Sequence, residues 1–294
     1  MPQPDTQTED FLKAAWSEHG DHPQAVADRL AGALNRVHTT AQVAPFVRLL
    51  VHVYGEHLAQ WQAGVALLGA LREQLVFETD DTATEALRRG IATLLYGSGN
   101  ASALDALAAP ARASALATAA SAFAAQHDTA RAIASYTEAL RIADLGLPAA
   151  SPALRELAIA GNNLAVTLEQ KKDRQSDETH AMVACAQAAL TYWKLAGTWL
   201  EEERAEYRLA RSLLQAGQAV TAVAAAQRCV AVCTEHEAPA FEQFFAYAVL
   251  TMAHRTAGQA DACANNRLLA LGHWETLAPE DRAWCRDDLA ELGS

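Results

Sequence analysis

Two cysteines and a histidine recur at helical spacing in the second half of the chain. Cys229, Cys233 and His236 stand at i, i+4 and i+7, so one face of a helix can present two thiolates and an imidazole to zinc. A fourth ligand is not evident, although Glu237 follows directly. The alternative is core packing, since an unpaired cysteine is commonly buried. We favour core packing and predict no metal site at these residues.

A second candidate is the segment His52-Val-Tyr-Gly-Glu56-His57. It resembles the zinc-protease motif of the inverted type, His-x-x-Glu-His, but it is one residue too long. On an α-helix, where each residue turns by about 100°, His57 lies roughly 140° from His52 and the pair does not share a face. The spacing therefore predicts no catalytic metal here.

Other catalytic patterns are not recognisable in the sequence. We find no glycine-rich phosphate loop, no Gly-x-Ser-x-Gly segment and no grouping of cysteine, histidine and aspartate with catalytic context. Paired acids such as Asp80-Asp81 and Asp287-Asp288 are typical of helix ends and surfaces. We therefore expect a protein that is not an enzyme and has no catalytic residue, metal or cofactor.

Three arginines form the most informative polar surface. Arg204, Arg208 and Arg211 lie within about 60° of one another on a helix. These three residues, which we call the arginine stripe, gather positive charge in a chain whose net charge is −12. A guanidinium group can bind a carboxylate through two parallel hydrogen bonds. The alternative is a solvated face, on which Glu201 pairs with Arg204 and acids of neighbouring helices screen the rest.

The composition indicates which elements position these side chains. The 294 residues include 68 alanines and 36 leucines but only 6% aromatic residues, which favours helices over sheets. The negative charge is divided equally between the two halves of the chain. It disfavours nucleic acids and anionic membranes as partners, because both attract clustered lysine and arginine. No stretch reaches the ~18 apolar residues of a membrane-spanning helix.

The compartment is inferred from the N-terminus and the cysteines. The first ten residues have neither the basic start nor the apolar core of a secretory signal. The five cysteines include no Cys-x-x-Cys pair, which fits free thiols in a reducing compartment. We therefore expect a cytoplasmic protein, and we expect residues 1–8 to form a disordered tail.

A pattern of small and bulky apolar residues recurs along the chain. It falls on one face of two successive helices, at Leu116, Ala119, Ala120 and Phe123 and then at Ala132, Tyr136, Ala139 and Leu140. A turn at His127-Asp128 separates the two stripes. Small residues where two helices touch, with a bulky residue behind them, are what an antiparallel helix pair requires.

This pattern resembles the tetratricopeptide repeat (TPR), whose unit is a pair of helices, A and B. One position of successive A helices is occupied by Leu12, Leu50, Ile91, Ala119, Leu164, Leu209 and Leu250. The steps between these residues are 38, 41, 28, 45, 45 and 41. Most exceed the ~34 residues of the standard unit. The long repeats resemble those of kinesin light chain, as does the run Asn162-Asn163-Leu164-Ala165.

The resemblance implies an all-α fold, a right-handed superhelical array of about seven antiparallel helix pairs. We expect one domain over residues 9–294, with divergent repeats over 9–110 and clearer repeats over 111–276. One helix near residues 101–109 is expected to be shortened, and an insertion is expected before Ala181. Residues 279–292 are expected to form one amphipathic capping helix, with Trp284 and Leu289 facing inward.

In TPR proteins the A helices line a groove that holds a peptide. The resemblance assigns to this groove Asn162, Asn163, Arg204, Tyr207, Arg208, Arg211 and Arg255. Asparagine amides can bond to a peptide backbone, and arginines can bind carboxylates. We therefore expect a non-catalytic interaction module that binds a protein or an extended peptide, with an acidic segment or a C-terminal carboxylate as the contact.

A regulatory sensor is the alternative function. It would resemble the TPR portions of bacterial regulators, close around a small peptide or metabolite and signal through a partner protein. A ligand-dependent change in the radius of gyration would favour such a sensor over a rigid scaffold, and zinc in the purified protein would favour an enzyme. The sequence leaves homo-oligomerisation and the identity of the partner open.

Overall fold

The computed structural model describes residues 4–74 and 82–293. The described residues form fifteen α-helices, and they include no strand. The all-α class expected from the high alanine and leucine content is thus confirmed. None of the helices in these two ranges combines the length and the apolar character needed to cross a bilayer.

The fifteen helices follow one another along the chain. The first seven are α1 (Pro4–Glu18), α2 (Pro23–Gly32), α3 (Thr40–Val51), α4 (Trp61–Gln74), α5 (Thr82–Gly97), α6 (Ala109–Ala125) and α7 (Thr129–Ala143). The others are α8 (Pro152–Gln170), α9 (Ser176–Ala196), α10 (Trp199–Gln215), α11 (Ala219–Glu235), α12 (Ala240–Thr256), α13 (Ala260–Thr276), α14 (Pro279–Trp284) and α15 (Arg286–Gly293). A π-helical turn, His52–His57, directly follows α3, and 3₁₀ turns occur at Leu34–Arg36 and Ala101–Leu104. The second of these turns is the shortened helix expected near residues 101–109.

The chain divides into two compact units, which we call unit 1 (Met1–Ala160) and unit 2 (Gly161–Ser294). In unit 1, α6 packs against α7, and α5 packs against α3, α4 and α6. In unit 2, each helix from α9 to α12 packs against the next one in the chain. The helices therefore pack in adjacent pairs, as expected, while the superhelical array and the single domain over residues 9–294 stay predictions.

Three helix pairs are joined by the same three-residue turn. Its central residue is His127, Gly217 or Gly258, and each has a positive φ, of 59°, 73° and 72° respectively. The next residue donates its backbone N–H to a carbonyl five positions back, at 2.9 Å in all three turns. This is the Schellman closure, which ends a helix on a left-handed residue. The longer connection of residues 171–175, between α8 and α9, lies where the sequence predicted an insertion.

Alanine fills the contact between the paired helices α6 and α7. Ala119 of α6 and both Ala132 and Ala139 of α7 are completely buried. Because their side chains end at Cβ, the two helices can approach closely. The bulky Tyr136 is buried behind them, and its hydroxyl donates to the carbonyl of Leu157 at 2.9 Å. The alternation of small and bulky residues predicted for this pair is confirmed.

The N-terminal segment differs from the expectation. The helix α1 begins at Pro4, and the buried Thr8 hydroxyl donates to a backbone carbonyl at 3.0 Å. The disordered tail predicted for residues 1–8 is therefore wrong from residue 4 onward, while residues 1–3 lie outside the described residues.

The C-terminal segment also differs. Residues 279–292 belong to two helices, α14 and α15, because the chain turns at the buried Cys285. Trp284, which was expected to face inward, is 78% exposed. Leu289 does pack against the core of unit 2, as predicted.

Candidate functional site

The arginine stripe lies on α10, and a capping box fixes the start of this helix. The backbone N–H of Thr198 donates to the carboxylate of Glu201 at 2.8 Å. The Thr198 hydroxyl in turn accepts from the N–H of Leu200 at 3.3 Å. These bonds satisfy backbone donors that the first turn of a helix leaves unpaired. Glu201 thus has a local structural role.

Arg204 and Arg208 each bind an acid from another helix of unit 2. Arg204 Nη2 lies 2.5 Å from Glu242 Oε1 on α12, and Arg208 Nη1 lies 2.5 Å from Glu169 Oε2 on α8. Both acidic side chains are only 9% exposed. Such charge-assisted bonds are stronger than neutral ones. These two arginines therefore tie α10 to α12 and α8.

Arg211 binds the C-terminal helix α15. Its two Nη atoms donate to the Glu291 carboxylate at 3.0 and 2.8 Å. Its Nη1 also lies 3.8 Å from Asp288 Oδ1. The Tyr207 hydroxyl, one helical turn away on α10, donates to the same Asp288 oxygen at 2.6 Å. The acidic residues of α15 thus lie against Tyr207 and Arg211.

Two further arginines bind the end of α15. Arg255 Nη1 on α12 donates to the backbone carbonyl of Glu291 at 2.7 Å, and Arg267 Nε on α13 donates to that of Leu292 at 2.9 Å. The last carbonyls of a helix have no partner within the helix and carry partial negative charge. Arg255 and Arg267 therefore satisfy and neutralise this helix end.

Burial raises the pKa values of Asp288 and Tyr207, which are hydrogen-bonded to each other. Burial raises the pKa of Asp288, and this effect outweighs the lowering by the Tyr207 hydroxyl and Arg211. Burial, followed by the Asp288 carboxylate, raises the pKa of Tyr207 well above its ordinary value. The phenol therefore stays protonated at neutral pH and can act as the donor in its bond to Asp288.

The structure thus separates the residues that were predicted to line one groove. Tyr207, Arg211 and Arg255 meet at α15. Arg204 and Arg208 are engaged with acids of α12 and α8, and Asn162 and Asn163 are half-buried on α8. The pairing with acids of neighbouring helices agrees with one part of the solvated-face interpretation.

The cysteine candidate is part of the core. Cys229 and Cys233 are completely buried in a cluster of unit 2. Burial raises the pKa of both thiols, and Glu203, whose Oε1 lies 3.1 Å from Cys229 Sγ, adds to this effect. His236 stacks on Trp199, with ring centroids 5.2 Å apart. The structure confirms core packing as the role of these two cysteines.

The segment His52–His57 departs from α-helical geometry. It forms a π-helical turn, and the N–H of Leu58 donates to the carbonyl of Val53, five residues back, at 3.1 Å. In a π-helix, hydrogen bonding from i to i+5 places residues five apart one turn apart. His52 Nε2 and His57 Nε2 are consequently 3.1 Å from each other. The prediction that this pair does not share a face is wrong.

A third histidine completes the group. The ring centroid of His19, which directly follows α1, lies 4.8 Å from that of His52 and 5.0 Å from that of His57. One ring nitrogen of each histidine lies within 4.8 Å of the others. Across residues 4–74 and 82–293, no other set of three histidine, cysteine or acidic side chains meets this criterion for holding a metal ion. We call these three residues the histidine cluster.

Hydrogen bonds fix the tautomers of two of the rings. His52 Nδ1 lies 3.1 Å from Glu56 Oε2, and His19 Nδ1 lies 2.6 Å from the carbonyl oxygen of Trp16. Because the carbonyl and the carboxylate oxygen are the acceptors in these bonds, both Nδ1 atoms carry the proton, and a neutral ring then has its lone pair on Nε2. Burial, followed by the nearby His52, lowers the pKa of His57, which favours its neutral form.

Aromatic and glycine residues support the histidine cluster. Trp16 stacks on His52, with centroids 5.2 Å apart. A Cβ atom at Gly55 would lie 3.0 Å from the ring of Trp61, and one at Gly97 would lie 2.3 Å from it. Any larger residue at Gly97 would therefore displace Trp61. The two glycines allow this tryptophan to pack directly against the π-helical turn.

Comparison with models of known protein families found no match, and comparison with curated proteins found no similar sequence. The contacts within the arginine stripe and the histidine cluster are therefore the basis on which a function can be inferred.

Proposed function

We propose that the chain is a non-catalytic, TPR-like binding protein that holds an acidic segment of a protein partner against α10 and α12. The observation that supports this proposal is the contact of α15 with the same surface. Tyr207 and Arg211 bind the side chains of Asp288 and Glu291, and Arg255 binds the helix end. A short acidic C-terminal segment is the kind of ligand that these residues were expected to bind.

The proposal divides the predicted groove residues by role. Arg204 and Arg208 hold α10 in place through their buried acidic partners Glu242 and Glu169. Binding of the partner then depends on Tyr207, Arg211 and Arg255. In this scheme α15 is an internal occupant of the binding surface, and the partner exchanges with it.

The length of α15 favours such an exchange. The helix has 8 residues, whereas isolated helices shorter than about 12 residues are marginal in water. Its structure therefore depends on the contact with unit 2. It presents Asp288, Glu291 and the buried Leu292 to this unit. We expect the partner segment to repeat this spacing, two acids three residues apart followed directly by an apolar residue.

Fluorescence anisotropy can test the exchange. The probe is a labelled peptide with the sequence of residues 286–294, and the receptor is the full chain with Asp288→Lys and Glu291→Lys, which repel α15 from Arg211. We expect this double variant to bind the peptide at least tenfold more tightly than the wild type, because the wild type keeps its own α15 in place.

Two further variants provide the specificity control. Adding Arg211→Glu to the double variant should abolish peptide binding. Adding Arg141→Glu should not, because Arg141 is an exposed residue of unit 1 that pairs with Glu138. The proposal is wrong if the double variant, shown by circular dichroism to be folded, binds the peptide no more tightly than the wild type.

A further inference from the structure

We propose that His19, His52 and His57 bind a divalent transition-metal ion of the zinc type, through three Nε2 atoms and with a fourth position left for water. Three protein ligands and one open position are the coordination of catalytic zinc sites. The inference concerns metal binding in unit 1 and does not depend on the peptide surface of unit 2.

The spacing of the nitrogen atoms fits such an ion. With metal–nitrogen bonds of about 2.0–2.1 Å in a tetrahedral site, the ligand atoms are about 3.3 Å apart. His52 Nε2 and His57 Nε2 are already 3.1 Å apart, held by a proton of His57 Nε2 that the bound ion would displace. The ligand atoms of the cluster all lie within 4.8 Å of one another. A ligand nitrogen of His19 at this limit would have to approach by about 1.5 Å to reach the tetrahedral spacing.

Hydrogen bonds to neighbouring groups fix the tautomers of two of the three histidines. Glu56 binds Nδ1 of His52, and the Trp16 carbonyl binds Nδ1 of His19. Each bond places the lone pair of its ring on Nε2, which is the atom that would bind the metal. Histidines that bind metals almost always donate their other ring nitrogen to a carboxylate or a carbonyl in this way. Two of the three ligands therefore already have an outer-shell partner.

The ligand set selects the kind of ion. Imidazoles suit Zn²⁺, Cu²⁺ and Ni²⁺, whereas Mg²⁺ and Ca²⁺ prefer oxygen ligands. The His52 and Glu56 side chains are 23% and 20% exposed, so an ion can reach the cluster from solvent. An ion bound here would link the residue after α1 to the π-helical turn, and α1 already packs against α3.

Isothermal titration calorimetry of the untagged full chain, freed of metal by dialysis against EDTA, tests the site with ZnCl₂. We expect one equivalent of Zn²⁺ to bind to the wild type, and we expect the affinity to fall at least a hundredfold in His52→Ala and in His57→Ala. His22→Ala is the matched control, because this exposed histidine lies three residues from His19 and outside the cluster. It should bind Zn²⁺ as the wild type does.

A spectroscopic measurement separates the cluster from scattered surface histidines. Co²⁺ in a tetrahedral site absorbs strongly in the visible range, and we expect these bands in the wild type and in His22→Ala but not in His57→Ala. If an alanine variant is unfolded by circular dichroism, His57→Gln replaces it, since glutamine is a poor metal ligand of similar size. The proposal is overturned if the wild type binds no stoichiometric Zn²⁺, or if the folded cluster variants bind it with unchanged affinity.

Discussion

The arginine stripe of unit 2 and the histidine cluster of unit 1 each bring together side chains of one type. The two regions differ in the partners that these side chains bind. Each arginine of the stripe binds an acid from another helix, at distances of 2.5–2.8 Å. In the cluster, Glu56 binds one ring, while His52 and His57 bond to each other through Nε2 atoms. The stripe can therefore take a ligand only by displacing a carboxylate from its arginine, whereas a metal ion in the cluster displaces only the proton shared by two Nε2 atoms.

The largest effect is expected from the stripe. Arg211→Met removes the guanidinium group that binds Glu291 and lies beside Asp288, whose side chain is only 11% exposed. Glu291 is 44% exposed, so the charge left without a partner in a buried position is that of Asp288, and breaking a pair with a buried partner costs about 3 kcal/mol of unfolding free energy. Urea unfolding followed by circular dichroism measures this loss.

Arg141→Met is the matched control for that variant. Arg141 forms an ion pair with Glu138 at 2.7 Å, but its side chain is 63% exposed. Exposed pairs contribute little, because water and salt screen them. We expect almost no change in stability, and equal losses in the two variants would show that the stripe is not a buried network.

The second prediction concerns addition of a ligand to the cluster. Zn²⁺ at a hundred times its dissociation constant should raise the unfolding free energy by about 2.7 kcal/mol, provided that it binds only the folded state. A thermal melt with and without EDTA measures the effect. His57→Ala should lose it, and the double variant Asp288→Lys with Glu291→Lys should keep it, because those residues lie in unit 2. A loss in both variants would contradict the independence of the two regions.

The third prediction concerns Glu203 of unit 2 and the dependence of folding stability on pH. Burial raises the pKa of Glu203 to about 8; the Cys229 thiol and Arg204 lower it, and Glu242 raises it further. The neighbouring Cys233 has a raised pKa and stays a neutral thiol. Between the ordinary pKa of 4.5 and about 8, the folded state keeps a proton that the unfolded chain releases.

Folding stability should consequently decline as the pH rises through this window. The contribution of Glu203 is full below its unfolded-state pKa and is lost as the pH approaches and passes its folded-state pKa. One proton gives a slope of at most about 1.4 kcal/mol per pH unit. Glu203→Gln should flatten the profile measured by urea unfolding between about pH 5 and about pH 8.5. A variant with an unchanged slope would assign the pH dependence to other groups.

Local features of the fold could be predicted from the sequence. The small and bulky residues of α6 and α7 pack as their spacing indicates, because each position depends mainly on one neighbouring helix. Gly217 ends α10 in a left-handed conformation that glycine adopts readily. The arginine stripe was also found from helical spacing together with the resemblance to TPR helices, since its three residues share one continuous helix.

Features that depend on tertiary contacts could not be predicted. The choice between α- and π-helical bonding at His52–His57 is not marked by any residue type, and it accompanies the packing of Trp61 against Gly55. His19 joins the cluster although it lies 33 positions before His52 in the sequence. The acidic partners of the arginines likewise come from other helices, so a single helix gives no sign of them.

The smallest expected effect concerns the carboxylate next to the cluster. Glu56→Gln keeps the shape of the side chain and an oxygen that can accept from His52 Nδ1, which lies 3.1 Å from Glu56 Oε2. It removes the negative charge that makes the imidazole a better electron donor to a metal ion. Substitution of such an outer partner typically lowers metal affinity about 10- to 100-fold. Because the amide preserves the hydrogen bond, we expect about a tenfold loss of affinity in Zn²⁺ titrations, near the lower limit of this range.

Glu138→Gln, on the surface of α7, is the control and should leave the Zn²⁺ affinity unchanged. If both variants bind Zn²⁺ as the wild type does, the charge of Glu56 does not affect the Zn²⁺ affinity of the cluster. A carboxylate and a carbonyl are then equivalent as outer partners of the histidines.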